Sequence, residues 1–559
     1  MRNRRLMLSA AVIAAGVGLI PGLAHAADPV QPTKSSKPDA DGVDSTPDLT
    51  EVGQQKFSSP AERTVQFAPK ADAKSKAAPQ AQDVAAAADP TVGLSGRGTS
   101  ARGVHIDATV TNPDSTLLSL SVEWGDGSTD QFNVYGSETV PLQHSYKDIG
   151  YYTAKVTLSD NLGARAVNTM DLWTLGSDFT PHTPTRLLDT RDGTGAPRAK
   201  VAGFGTAKVK IEGNAKIPAG VTAVVLNVTV TNATSSGHIT AYGSGDDRPT
   251  SSNVNYNAGQ TVPNLVIVPV GEDGYVDLYN RSGGTVDLIA DVTGYFTHTT
   301  SSGYTPLAPS RLVDTRSGLG AQKGQVPGGG TFGVQIAGRN SVPASGVTAV
   351  ALNVTITEPK SDGHLSVFPS GQQATTSNLN FSAGQTIANA VIVPVGQDGK
   401  ISVRNGAWGT TDVIVDVVGF YSPAGEGAYR PVQPERLLDT RGDDNWDSGP
   451  LDDFGYAYIP LGHDRSHETS WVLNTTVTDT KANGFLGVVP DPNTVYAYEN
   501  DFASWPPAPT SSTLNWTPGK TVPNLVQATG GPDGIVDFFN QSYGTTHLIV
   551  DIFGYYDKS

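Results

Sequence analysis

An all-β, modular fold is what this sequence predicts, and three observations predict it. Glycine is abundant (62 of 559 residues), charged residues are sparse (16%) and cysteine is absent, so short strands and tight turns must be held by packed cores rather than cross-links. Short alternating apolar runs recur from about residue 91 onward. One block, Arg186-Leu187-Leu188-Asp189-Thr190-Arg191, returns at equal spacing as Arg311 to Arg316 and Arg436 to Arg441, which marks three tandem copies of one domain.

The chain opens with Arg2, Arg4 and Arg5, an apolar run from Leu6 to Leu23, and the small-x-small triplet Ala24-His25-Ala26. That pattern predicts a signal peptide, residues 1–26, and hence a secreted or extracellular protein, retained at the cell wall non-covalently if at all. No membrane span is expected after cleavage. Residues 27–90 are rich in Ala, Pro, Lys, Asp and Gln without an apolar period, and are expected to be a disordered linker, either a tether or a passive pro-segment.

Residues 91–176 change to alternating runs such as Val104-His105-Ile106-Asp107-Ala108 and Leu118-Ser119-Leu120-Ser121-Val122, which predict a small antiparallel sandwich. In this segment Trp124-Gly125-Asp126-Gly127-Ser128, His144-Ser145-Tyr146, Gly150-Tyr151-Tyr152 and Val156 to Asn161 follow one another in an order that resembles the polycystic kidney disease (PKD) domain. The resemblance implies an Ig-type sandwich serving as a non-catalytic spacer or contact module. Glu123 departs from the family, which usually runs an aromatic directly into Gly-Asp-Gly. By its residue types Asp126-Gly127 is a turn, Asp bonding its own downstream backbone and Gly taking positive φ.

The three repeats are placed at 178–298, 303–422 and 428–559. Besides the opening block, each carries an alternating strand (Leu226 to Thr231, Leu352 to Thr357, Leu473 to Thr478) and a closing one (Asp291 to Phe296, Asp416 to Tyr421, Asp551 to Tyr556). About eight short strands per copy and no convincing helix predict tandem β-sandwich or jelly-roll domains. A period of this length suits an independent core, and the short Ser/Gly-rich linkers suggest beads with limited swing. The RLLDTR, LNVTVT and DVxGYF signatures resemble a repeat of actinobacterial exported proteins, a resemblance that implies context but no activity.

A net charge of -16 opposes binding to phosphate backbones, so no nucleic-acid partner is expected. Shared chemistry should recur in all three copies, yet His238 and His364 are matched by Phe485, which argues against a Ser/His/Asp hydrolase and for a non-enzyme. Carboxylates do recur. Asp189, Asp314 and Asp439 open each copy, and Asp291, Asp416 and Asp551 close it within apolar strands. Arg191, Arg316 and Arg441 are the expected partners of the closing carboxylates in a structural clamp. A calcium or ligand site, or paired acid/base carboxylates, would use the same groups; no cofactor is expected, with calcium left open.

Asn227, Asn353 and Asn474 recur in one strand, Asn255, Asn380 and Asn515 in another, and Asn264, Asn389 and Asn524 follow. Their amides either close buried backbone gaps or face sugar hydroxyls. Asp273-Gly274, Asp398-Gly399 and Asp533-Gly534 read as hairpin turns. His463 and His467 near Asp464 are too weak a set to predict a metal.

The third copy differs. It concentrates Trp446, Trp471, Trp505 and Trp516 with Tyr496 and Tyr498, and is about 13 residues longer around Tyr496 to Pro509. Such a loop either binds a ligand or packs over its own sandwich. Trp446, Trp471, Tyr496, Tyr498 and Trp505 are therefore the candidate ligand contacts. The function expected is multivalent binding of a polysaccharide or cell-wall glycan, with adhesion to surface proteins, or a role as the accessory region of a secreted hydrolase, as alternatives.

Overall fold

A computed structural model describes residues 56–67, 89–442, 449–462 and 465–559. The signal segment 1–26 lies outside these residues. The chain forms two compact units, one within 53–177 and one built from 178–297 and 301–558.

The first unit is a sandwich of a four-stranded and a five-stranded antiparallel sheet. Part of the stretch expected to be disordered belongs to it. Lys56–Ser59 pairs with Thr91–Gly98, and Val65–Gln66 pairs with Gly163–Trp173. The reason is burial: Phe57 enters the core, and the Ser59 hydroxyl donates to Asn168 Oδ1 at 2.8 Å. The Asp126-Gly127 turn forms as expected, with Gly127 at φ 93° and Ser128 N donating to Asp126 Oδ1 at 2.9 Å. Behind it the buried Trp124 stacks on His144, which bonds Asp126 Oδ2 at 2.8 Å.

Each repeat in the second unit is an eight-stranded jelly roll. In the first copy the strands are Asp178–Asp189, Thr206–Lys210, Val221–Thr231, Gly237–Gly243, Val254–Tyr256, Val262–Pro269, Tyr275–Arg281 and Asp287–Thr297. The first, eighth, third and sixth form one sheet, and the second, seventh, fourth and fifth the other; both later copies repeat this order. All three Asp-Gly hairpin turns form, with Gly274, Gly399 and Gly534 at positive φ.

The two sheets of a copy differ in a way that decides the assembly. Thr206–Lys210 alternates exposed and buried, whereas Val221–Thr231 and Val262–Pro269 are buried almost throughout. A strand covered on both faces needs a second neighbour. Here the first sheet of each copy packs on the other two copies, and the three jelly rolls close into a ring around one apolar core. The expected beads are thus not found: the repeats pack into one compact unit, because their inner sheets are buried on both faces.

The ring is cyclic at the level of single side chains. Phe179 of copy one meets Tyr421 of copy two at 4.2 Å between centroids, Tyr304 of copy two meets Tyr556 of copy three at 4.4 Å, and Tyr429 of copy three meets Phe296 of copy one at 4.5 Å. Gly294, Gly419 and Gly554 of the closing motif are glycines because the rings of Phe179, Tyr304 and Tyr429 occupy the space a Cβ would take.

A second circuit is polar. Asn264 Nδ2 donates to Asn474 Oδ1 at 3.0 Å, Asn389 Nδ2 to Asn227 Oδ1 at 3.2 Å, and Asn524 Nδ2 to Asn353 Oδ1 at 3.0 Å. Asn227 and Asn474 in turn donate to the Ser377 and Ser252 carbonyls of neighbouring copies at 2.8 and 2.7 Å, and Asn353 donates to that of Ser512. These strand asparagines close buried gaps between copies. Asn227, Asn264 and their counterparts are buried and do not present their amides to a ligand.

Candidate functional site

The recurring carboxylates form a clamp, but with the other arginine. Asp291, Asp416 and Asp551 are held by Arg186, Arg311 and Arg436, through Nε at 2.9, 3.0 and 2.8 Å and Nη2 at 3.3, 3.4 and 3.3 Å. Register explains the correction, since Arg186, Arg311 and Arg436 lie directly opposite these aspartates across the sheet. Arg191, Arg316 and Arg441 instead fold back two residues onto Asp189, Asp314 and Asp439, at 2.6 to 2.7 Å. The guanidinium hydrogen bonds hold Asp439 down at about 2. Burial pushes Asp291, Asp416 and Asp551 upward, with their arginine partners opposing it. Among the described residues no group of three or more His, Asp or Glu is placed to hold a metal.

The aromatic residues of the third copy divide. Trp446 lies outside the described residues, as do His463 and Asp464. Trp471 is core, its indole N–H donating to the buried Glu468 at 2.8 Å, and Trp516 is also buried. The added segment forms the short helix Val495–Glu499, which buries Val495 and Tyr498 against Ile535 and Tyr458. Tyr498 donates to Asp491, which also accepts from Asn493 Nδ2 at 2.8 Å. Asp491 in turn faces Asp537, whose carboxyl is pushed well above its ordinary value first by burial and then by Asp491. Trp505 packs edge-on against Tyr456 at 5.0 Å and is half-buried. Trp471 and Tyr498 are therefore withdrawn as ligand contacts, because a buried ring cannot stack on a sugar. The insertion covers its own sandwich, and among the described residues of the set Tyr496, beside Phe502, is the one that stays exposed.

A different set of aromatics places an exposed ring at the same paired tip of every copy, though not at one sequence position. The hairpin after each seventh strand lies against the turn before each second strand. The two are stapled by a buried asparagine: Asn280 Nδ2 donates to the Ala202 and Gly284 carbonyls at 2.9 Å, Asn405 Nδ2 to Val326 and Gly409 at 3.1 and 2.9 Å, and Asn540 Nδ2 to Asp452 and Gly544 at 2.7 and 3.0 Å. At this paired tip copy one exposes Phe204 (66%), copy two Trp408 (98%) and copy three Tyr543 (71%), the last edge-on to Phe454 at 4.9 Å. The sequence did not nominate these rings because the aromatic alternates between two facing positions: Phe204, Gly329 and Phe454 on one turn, Gly283, Trp408 and Tyr543 on the other.

The backbone of the first turn is the same in all copies, with φ at 58° for Phe204, 70° for Gly329 and 55° for Phe454. This left-handed conformation suits glycine, and a phenylalanine there costs about 1–2 kcal/mol. The exposed Phe204 ring recovers little of that by packing.

No family model and no curated protein matches the chain. Among solved structures, it is similar to a carbohydrate-binding module of the β-sandwich superfamily, at 13% identity over 38% of this chain and 97% of that one, with a TM-score of 0.15. It is also similar to a chain described for the triple jelly roll fold and turret assembly in an archaeal virus, at 10% identity over 68% of this chain and 89% of that one, again with a TM-score of 0.15. At such scores neither likeness carries an argument about function. No helix among the described residues is long and apolar enough to cross a membrane.

Proposed function

We propose that this chain is an exported, non-enzymatic glycan-binding protein of the cell surface, in which a PKD-like sandwich acts as spacer and a ring of three jelly rolls presents three aromatic tips. The observation that carries the reading is the exposed ring at the equivalent tip of each copy: Phe204, Trp408 and Tyr543. Pyranose rings stack on such faces, each contact is weak, and three on one rigid body gain strength by avidity. The test is retention of the full chain on insoluble cell wall and on a panel of polysaccharides. Trp408→Ala is expected to weaken retention several-fold, and the triple alanine variant to abolish it. Retention that survives the triple variant with its fold intact would sink the proposal.

A further inference from the structure

The junction between copies one and two holds a polar cleft that the tips do not use, and the junction between copies three and one shares its residue set. The cleft has a volume of about 460 Å³, within the range of small-ligand sites, and it is lined by Arg186 and Thr229 on one side and by His364, Thr375 and Arg404 on the other. Arg186 is neutralised by its aspartates. Arg404 is not: its exposed side chain makes no hydrogen bond or ion pair among the described residues, so the cleft carries an uncommitted cation in a chain of strongly negative net charge.

The second observation is a buried hydroxyl. Thr229 is 2% exposed and its Oγ1 has no partner. A polar atom left this way is unfavourable unless something else satisfies it. The same holds at the junction of copies three and one, where the matching Thr476 Oγ1 is also unpartnered beside His238, Arg281 and Arg436. At the junction of copies two and three the features vanish together. Thr355 Oγ1 meets Ser512 Oγ at 3.5 Å, Phe485 replaces the histidine, Phe539 and Gln541 stand where Arg404 and Arg281 would, and Arg311 donates to the Thr510 carbonyl of the insertion at 3.0 Å. Orphan hydroxyl, imidazole and free guanidinium occur as a set or not at all.

Burial, reinforced by the Arg404 charge, lowers the basicity of His364, which leaves a neutral imidazole able to donate and accept. We infer that the cleft between copies one and two, and its counterpart between copies three and one, binds the carboxylated sugar unit of an acidic polysaccharide. Arg404 or Arg281 takes the carboxylate, and the threonine hydroxyl and the histidine take ring hydroxyls. This rests on the glycan reading and narrows it to uronic-acid polymers.

The test is calorimetric titration of the full chain with digalacturonate, with an uncharged disaccharide and inorganic phosphate as comparison probes. Two equivalents of digalacturonate are expected to bind, Arg404→Ala to leave one, and Arg404→Ala with Arg281→Ala to leave none. Thr229→Val is expected to weaken its site about tenfold without lowering thermal stability, since the hydroxyl supports nothing in the fold. Unchanged stoichiometry in the Arg404 variant overturns the inference, as does phosphate competing as strongly as the sugar acid, which would mark a bare oxyanion site. Binding of neutral glycans through the tips without digalacturonate removes the cleft and keeps the general reading; digalacturonate bound through Arg404 with no glycan held at the tips does the reverse.

Discussion

Asn264 donates to Asn474 across 210 residues of sequence, at 3.0 Å, in a site where both side chains are buried. This bond has two cyclic equivalents, so each of the three junctions of the ring is fastened by the same buried polar contact. Asn389 also donates to the Asn378 carbonyl at 2.6 Å and accepts from Leu265 N. Asn389→Ala should therefore strand several buried groups at once and destabilise the second unit by about 3 kcal/mol. Urea unfolding should show the loss as a shifted midpoint, and an Asn264/Asn474 double-mutant cycle should show strong coupling.

The two arginines of the opening block should differ in weight. Arg186→Met leaves Asp291 buried and unpaired, a change expected to cost about 3 kcal/mol or more. Arg191 is the more exposed of the two (44% against 30%) and Asp189 keeps Arg186, so Arg191→Met should cost about 1 kcal/mol or less. Equal losses in denaturant unfolding would contradict the assignment of Arg186 as the clamp.

Glu468 gives the third copy a pH dependence. Burial pushes its carboxyl from 4.5 up to about 7, against the pull of the Trp471 indole and Arg465. The folded chain thus holds this proton more tightly than the unfolded one. The contribution is complete below about pH 4.5 and is lost as the pH rises to about 7, a change of about 3 kcal/mol. Glu468→Gln should flatten this part of the stability profile and leave the variant the more stable protein at pH 8.

Phe204 separates stability from binding. Phe204→Gly relieves a left-handed phenylalanine and should stabilise the protein by about 1 kcal/mol while weakening retention on glycan. A variant that gains stability and keeps full retention would return Phe204 to the status of an incidental exposed ring.

Much of the fold was legible because it is local. Alternating runs gave the strands, and Asp-Gly pairs gave the hairpins at Gly274, Gly399 and Gly534. The ring was harder to read, since a repeat of this length is equally compatible with beads. Part of its signal was nevertheless in the strand Val221–Thr231, where Ala223-Val224-Val225-Leu226 breaks the alternation kept by Thr206–Lys210, as an apolar run covered on both faces does. The clamp arginine was misplaced because sequence shows which residues recur but not which ones sit opposite one another across a sheet. The tips were missed for another reason: an aromatic that changes position between copies leaves no column to read.

Gln527 shows what it means for the ring to be one covalent chain. Its amide donates to both Tyr421 and Tyr556, at 2.8 and 2.7 Å, beside the central axis. The corresponding residues of the other copies are Ile267 and Ile392, and Phe296 stands where those tyrosines do. An assembly of three identical subunits could not make this arrangement, for every substitution would appear three times and three amides would crowd one centre. With the copies encoded separately, each junction is free to specialise, so that the insertion can reach Arg311 at one junction while another keeps an open cleft.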